Sequence, residues 1–418
     1  MNSRGSERKT RRVVVLHGGV TFRDSQDAVD ACKSAMRSSD GAVDAVENLE
    51  LCGSFNAGRG SSLSREGAVE MEAAVCRLDE QGEVRGFDYL LNPEPAGQSR
   101  FLEMSFGAVG AATRLASPVR VAEAISDSAS ERENDGLVDP MVVVGEGAEK
   151  WAEDHGLASL VLAEKPARTP EAEKEWTRAL LHFRGEGPSL SSLDEALRAM
   201  DTVGAAELTL DDWSSTVACS SGGIILKRPG RLGHCTVFGA GAWVEEREWL
   251  ESSFHRRRLV SLCVSGCGEA IVRVDAAREI ARRITQRCDS TPLPAVIYAF
   301  FKEHFHAESR LLRRMNPAHL YLGGVAIVRE EKRRTEGGEG KRENARIGKM
   351  KVKEADDVDD EEDSEGEEDD DEEDDSLELL IFHNTPFLPL AWRDAQDKVR
   401  AMMSRRAKEA VTVTVLPL

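Results

Sequence analysis

Two apolar runs, 320–328 and 377–382, are strong strand candidates, and the stretch between them can join no core. Within it, residues 354–375 hold 18 Asp and Glu and no Lys or Arg. Such a run has almost nothing apolar to bury and repels itself, so it is expected to be solvated and disordered. Residues 329–353, rich in Lys, Arg and Gly, read the same way. Adjacent strands joined by a long excursion account for this pattern better than a domain boundary does. The 418 residues are therefore expected to form one large domain with a charged insertion at 329–376.

The net charge of −20 belongs mostly to that acidic run, and the rest of the chain is nearly neutral. The acidic and basic halves of the insertion attract each other. A tract that binds histones or other basic partners, and an import signal at Lys332-Arg333-Arg334 and Lys341-Arg342, stay open as readings. The eight cysteines are scattered without paired metal spacing, which suits buried thiols in a reducing compartment. No apolar run reaches the ~18–20 residues of a membrane span. The polar, basic tail 1–12 is followed by an apolar run, 13–16, too short for a signal-peptide core. An intracellular protein, in nucleus or cytoplasm, is expected.

Along the chain, 13–16 reads as a buried strand that ends in His17-Gly18-Gly19. Helical spacing over 27–51 is broken at Gly41, and Phe55-Asn56-Ala57-Gly58-Arg59-Gly60 follows as a polar loop. Strands are predicted at 69–75, 106–112 and 141–144, with a helix after Pro118 and another from Gly145-Glu146-Gly147 through Trp151. From about 163 to 192 the composition turns polar and proline-bearing with little periodicity, so 163–200 reads as a mobile linker. Strands are then predicted at 203–208, 215–219, 223–226 and 235–240, and helices at 269–285 and 293–305. The order of strands and helices fits a layered α/β protein.

The linker runs into Met200-Asp201-Thr202-Val203-Gly204-Ala205. A threonine hydroxyl is a poor nucleophile unless a base takes its proton. A threonine at a new chain start carries its own α-amine, whose reference pKa of ~7.7–8.0 lies close to working pH. Downstream come Ser220-Ser221-Gly222-Gly223, Pro229-Gly230-Arg231 and Ser265-Gly266-Cys267-Gly268-Glu269; upstream lie Val15-Leu16-His17-Gly18-Gly19, the Asn56 loop and Val144-Gly145-Glu146-Gly147-Ala148.

In this order the motifs resemble the type 2 asparaginase family of N-terminal-nucleophile hydrolases, and within it the threonine aspartases. The resemblance covers most of 13–328 and returns weakly at His383-Asn384-Thr385-Pro386. It implies a four-layer αββα sandwich, made as a precursor and cut between Asp201 and Thr202. The large-subunit part would be 13–201, and the small-subunit part 202–328 plus 377–418. The two fragments would stay together as a heterodimer, with a second dimerisation of that heterodimer left open. Thr202 would be the nucleophile, assisted by Ser221 with Ser220 beside it, and Asn56 would position its amine. Ser265 and the N–H of Gly266 would face the oxyanion. Arg231 would bind a carboxylate with its planar fork of donors. No cofactor or catalytic metal is implied, although a structural monovalent cation near Asn56 is, by analogy.

Two residues bear on the choice within the family. Asp201 precedes the nucleophile, as in threonine aspartases, where ordinary asparaginases usually carry glycine. His234 follows Gly233 where hydrolases of free amino acids have an aspartate that grips the substrate ammonium. An endopeptidase that cuts polypeptides after an internal Asp is the expectation, with nuclear regulators as substrates and neither membrane nor nucleic acid as partner. L-asparaginase or isoaspartyl dipeptidase activity is the alternative, and a non-catalytic acidic binding protein is a third reading. Departures from the family pattern are Gly19-Val20-Thr21 in the opening turn, an insertion from about 76 to 106, and the acidic tract.

Overall fold

The computed structural model describes residues 10–81, 101–128, 138–186, 202–251, 253–306, 320–334, 374–406 and 410–418. The first strand, β1 (Arg12–His17), is the β-branched run, and Val13 to Leu16 are fully buried. Ser25 caps helix α1 (Gln26–Arg37) by accepting from the N–H of Ala28, and Gly41 opens α2 (Ala42–Cys52). Strands β2 (Met71–Gln81) and β3 (Phe101–Ala112) follow, then α3 (Pro118–Ser128), β4 (Val142–Val144) and α4 (Glu146–Asp154). The stretch read as a linker holds a helix, α5 (Pro170–Phe183). Thr169 caps it and Pro170 sits in its first turn, so the proline that argued against order is a start signal here. Residues 187–201, including Asp201, lie outside the described residues.

After Thr202 come β5 (Val203–Thr209), β6 (Ser215–Ser221), β7 (Ala242–Glu251) and β8 (Phe254–Gly266). Helices α6 (Gly268–Val274) and α7 (Ala276–Thr285) are separated by left-handed Asp275, and α8 (Leu293–Ala299) continues as a π-helical turn, Phe300–Phe305. The chain then forms β9 (Leu322–Arg334), β10 (Asp374–His383), β11 (Phe387–Arg393), β12 (Val399–Arg405) and β13 (Thr412–Pro417). Neither 223–226 nor 235–240 is a strand. Gly223 and Leu226 have positive φ, and the second run is held by local bonds, from Val237 N–H to the His234 carbonyl and from Ala240 N–H to the Val237 carbonyl. Most of the run is buried in this turn, with Phe238 partly exposed, and none of it is extended.

The strands form an eight-stranded sheet, in the order β12-β11-β1-β5-β6-β2-β3-β4, and a five-stranded sheet, β13-β10-β9-β8-β7. The period of two sorts the side chains of the larger sheet. Val13, Val15, Ala206, Leu208, Val217 and Cys219 join one core with Leu262, Val264, Val325 and Ile327 of the smaller sheet. Val14, Leu16, Ala205 and Ala218 join another with Cys32, Met36, Leu49 and Ile125 of α1, α2 and α3. Helix α7 packs on β7 and β8. The result is a mixed α/β fold of two sheets and their helices.

Strands β9 and β10 are neighbours, with Lys332 opposite Asp374, as the interrupted apolar runs predict. The strands also extend further than predicted. Residues 329–334 and 374–376, assigned by sequence to the disordered insertion, are paired strand; Arg329 is buried and bridges Asp375. The remainder of the insertion, 335–373, lies outside the described residues. Six cysteines are buried, Cys52 and Cys288 are exposed, and all eight are free thiols. Among the described residues no helix is long and apolar enough to cross a membrane.

Candidate active site

Thr202 sits at the very start of β5, where Val203 pairs with Ser220. This register places Thr202 beside the end of β6, and its Oγ1 donates to Ser221 Oγ at 3.1 Å. The N–H of Gly223 donates to the same oxygen at 3.0 Å. Ser221 Oγ thus accepts twice, and its own proton is left for a third partner. Thr202 is only 4% exposed, and the site is a narrow pocket lined by Asn56, Glu72, Thr202, Ser221, Gly223, Arg231, His234, Gly266 and Gly268 among others.

Ser220 is not part of this arrangement. On β6, Val217 and Cys219 face the core between the sheets and Ala218 faces the helices, so Ser221 takes the first side and Ser220 the second. Ser220 lies toward Glu50, a fully buried carboxyl of α2 that accepts from Ser117 Oγ and from the N–H of Val119. Burial pushes Glu50 up to about 8, against the pull of its hydroxyl and amide partners.

Asn56 ties the glycine loop to the turn after Ser221. Its Nδ2 donates to the Gly223 carbonyl at 2.7 Å, its Oδ1 accepts from Ser62 N–H at 2.7 Å, and its carbonyl accepts from Gly222 N–H. A Cβ at Gly222 would come within 2.4 Å of Asn56 Oδ1, so this contact requires glycine. Gly266, at the end of β8, lines the pocket. Ser265 does not: its buried Oγ accepts from the N–H of Val20, behind the pocket wall.

The opposite wall carries charge. Arg231 holds Glu269 in a two-pronged bridge, Nε to Oε1 at 3.0 Å and Nη2 to Oε2 at 2.9 Å, which leaves Nη1 facing Gly223 and Gly233. Lys227 is buried and donates to the Glu70 carbonyl at 2.6 Å; burial lowers its pKa. His234 is buried and meets the Val264 carbonyl through Nε2 at 3.2 Å. Burial, aided by the Arg231 charge, brings its pKa down to about 4, so the ring is neutral near pH 7. A carbonyl only accepts, so the ring proton sits on Nε2 and Nδ1 is left as an acceptor beside Gly268. His17, its neighbour, is likewise pushed down, to about 3, by burial and by His234.

Sequence reasoning missed Glu72, which lines the pocket and is 2% exposed. The signal was present: a lone carboxylate within Met71-Glu72-Ala73-Ala74-Val75, a run that is otherwise apolar. A broader cleft opens beside the pocket, sharing Asn56 and lined by Thr21, Arg23, Phe55, Thr169 and Glu175. A separate polar recess around Arg12, Asp44, Arg77, Arg120 and Glu207 is filled by its own ion pairs and holds none of the nucleophile motif. Among the described residues no cluster of His, Cys, Asp and Glu could hold a metal ion.

A family model described as asparaginase (Asparaginase_2) matches residues 20–86 and 102–302. The chain is 26% identical over 332 residues to an isoaspartyl peptidase/L-asparaginase of Danio rerio, covering 76% of this chain and 85% of that protein. It is 30% identical over 251 residues to a plant-type L-asparaginase of Pyrobaculum calidifontis, covering 56% and 70%. Over 263 residues it is 28% identical to an isoaspartyl peptidase of Escherichia coli, covering 61% and 64%. These likenesses reach the family and not the threonine aspartases in particular.

Proposed function

The chain belongs to the asparaginase family of hydrolases, and on that premise we propose that it cuts itself between Asp201 and Thr202 and then hydrolyses polypeptides after aspartate. We read the fold as the four-layer αββα sandwich of N-terminal-nucleophile hydrolases, a reading supported by the core that the two sheets share and by the helices packed on them. In the precursor, Thr202 Oγ1 attacks the Asp201 carbonyl, the acyl group passes from nitrogen to oxygen, and water cleaves the ester. The freed α-amine then takes the Thr202 hydroxyl proton, and Oγ1 attacks the carbonyl of a substrate aspartate. The departing amine takes the proton, and water hydrolyses the acyl-enzyme to release the acid and restore Thr202. Ser221 steadies the attacking oxygen, the N–H of Gly266 receives the oxyanion, and Arg231 binds the aspartate carboxylate. Protein groups alone supply this chemistry. The two fragments remain one heterodimer.

His234 carries the endopeptidase reading. It is a neutral ring that offers an acceptor, where a hydrolase of free amino acids has a carboxylate. A neutral acceptor suits the amide N–H of an internal aspartate and leaves an α-ammonium without its counter-charge. The cleft that shares Asn56 supports the same reading by giving an extended chain somewhere to lie. A second reading, L-asparaginase or isoaspartyl dipeptidase, draws its support from the activities for which the relatives are named.

One assay separates the two. The processed protein is offered a peptide with an internal Asp, L-asparagine, and a β-aspartyl dipeptide, with cleavage followed by mass and by ammonia. Cleavage confined to the peptide is expected, and His234→Asp should shift activity toward the amino acid by roughly tenfold or more. Ammonia release by the wild type, with the peptide left whole, would establish the second reading.

A further inference from the structure

Glu72 lies on β2 among buried Met71, Ala73, Ala74 and Val75, and lines the same pocket as Thr202, Ser221 and Arg231. Its Oε2 accepts from the N–H of Gly233 at 2.5 Å, while Oε1, equally buried, has no hydrogen-bond partner among the described residues. A Cβ at Gly233 would stand 2.2 Å from Oε1, so the glycine is what lets the backbone close against the carboxyl. A buried oxygen without a partner is costly in any fold. Here it belongs to a pocket-lining side chain, next to the residue proposed to bind the substrate's carboxylate.

The charged and titratable groups around Glu72 are Lys227, Arg231 and Cys235 from the connection between β6 and β7, and Glu269 from α6. Lys227 Nζ donates to the Glu70 carbonyl and Arg231 Nε and Nη2 donate to Glu269, so these donors do not reach Glu72. Burial outweighs their charge and holds the Glu72 carboxyl above the usual carboxylate range. Oε2 already accepts from Gly233, so in the protonated carboxyl the proton belongs on Oε1.

We propose that Glu72 is a substrate-binding residue that donates a hydrogen bond from Oε1–H, alongside Nη1 of Arg231, to the carboxylate of the bound aspartyl group. This rests on the hydrolase reading above, in which Arg231 meets a carboxylate. It completes a recognition wall where, among the described residues, Nη1 of Arg231 is not used by the bridge to Glu269. A neutral donor also avoids the repulsion that an ionised Glu72 would impose on an anion. The same donor serves the carboxylate of a free amino acid, so the inference does not depend on which substrate is cut.

The test is steady-state kinetics against pH for wild type, Glu72→Gln and Glu72→Ala, each first checked for self-cleavage by intact mass and for folding by thermal melting. For the wild type, KM should rise with pH as Oε1 loses its proton. Glu72→Gln keeps a donor that cannot ionise; its kcat/KM should fall about tenfold or less and its KM should lose that rise. Glu72→Ala should raise KM by roughly 30-fold with kcat changed less than threefold. A KM equally flat with pH in wild type and Glu72→Gln overturns the proposal. So does a Glu72→Gln enzyme as impaired as Glu72→Ala, because Glu72 would then act as an anion. The substrate panel judges the endopeptidase reading independently, and a processed wild type that cuts none of the three substrates sinks both.

Discussion

Around Thr202 the pocket is made of hydroxyls and backbone amides: Thr202 Oγ1 on Ser221 Oγ, Gly223 N–H on the same oxygen, and Asn56 bracing the turn. Across from it, Lys227, Arg231, Glu269, Glu72 and His234 form a wall of ionisable groups whose partners are mostly one another or backbone. The first wall holds position without charge, so its contribution depends on sub-ångström placement and on one proton path. The second holds charge in a buried setting, where each group's state is set by its neighbours. Damage to the first should therefore appear in kcat, and damage to the second in KM, pH dependence and substrate choice.

The largest expected effect is on the neutral wall. Thr202→Ala should remain a single chain by intact mass at neutral pH while wild type splits between 201 and 202, and its activity should drop by about 10⁴-fold or more. A variant that still splits there would show that another group performs the cut. Next comes the direct contrast between the walls. Ser221→Ala should lower kcat by roughly 10²-fold with KM little moved, whereas Arg231→Gln should raise KM by a similar factor and spare kcat. If both variants moved the same parameter, the division between the walls would be lost.

The smallest effect tests what lies behind the neutral wall. Glu50 is raised from 4.5 to about 8 by burial, so the folded chain keeps a proton that the unfolded chain releases. Its contribution to stability is complete below about pH 4.5 and is lost as pH rises toward 8. Glu50→Gln should therefore gain on wild type between pH 5 and 8, by ~1 kcal/mol or more in denaturant unfolding. A difference that stays constant over that interval would mean that Glu50 ionises as freely folded as unfolded.

Much of the frame was legible because it rests on local pattern. The β-branched run before His17, the helices broken at Gly41 and the start at Pro118 all follow from spacing and turn residues. The β7–β8 hairpin was not legible. Its outer half, 245–257, is strongly charged because most of it leaves the core, with Arg257 stacked on Trp213 and paired with Glu246. The choice between Ser220 and Ser221 was within reach, since extending the predicted strand at 215–219 by two residues puts them on opposite faces. The lone carboxylate of Glu72 was visible in its apolar run, but its meeting with the Arg231–Glu269 bridge was out of reach, because residues 72, 231 and 269 come together only through the order of strands in the sheets.

That order has one more consequence. Strand β1, from before Thr202, lies between β5 and β11, both from after it, and β2 is paired to β6. The segments on either side of residue 202 are thus shuffled together like two halves of a deck. A break in the backbone there would halve the chain without opening a seam, because parting the fragments means tearing three strand ladders out of one sheet. The cut protein would melt as a single cooperative body, and its fragments would come apart only by unfolding.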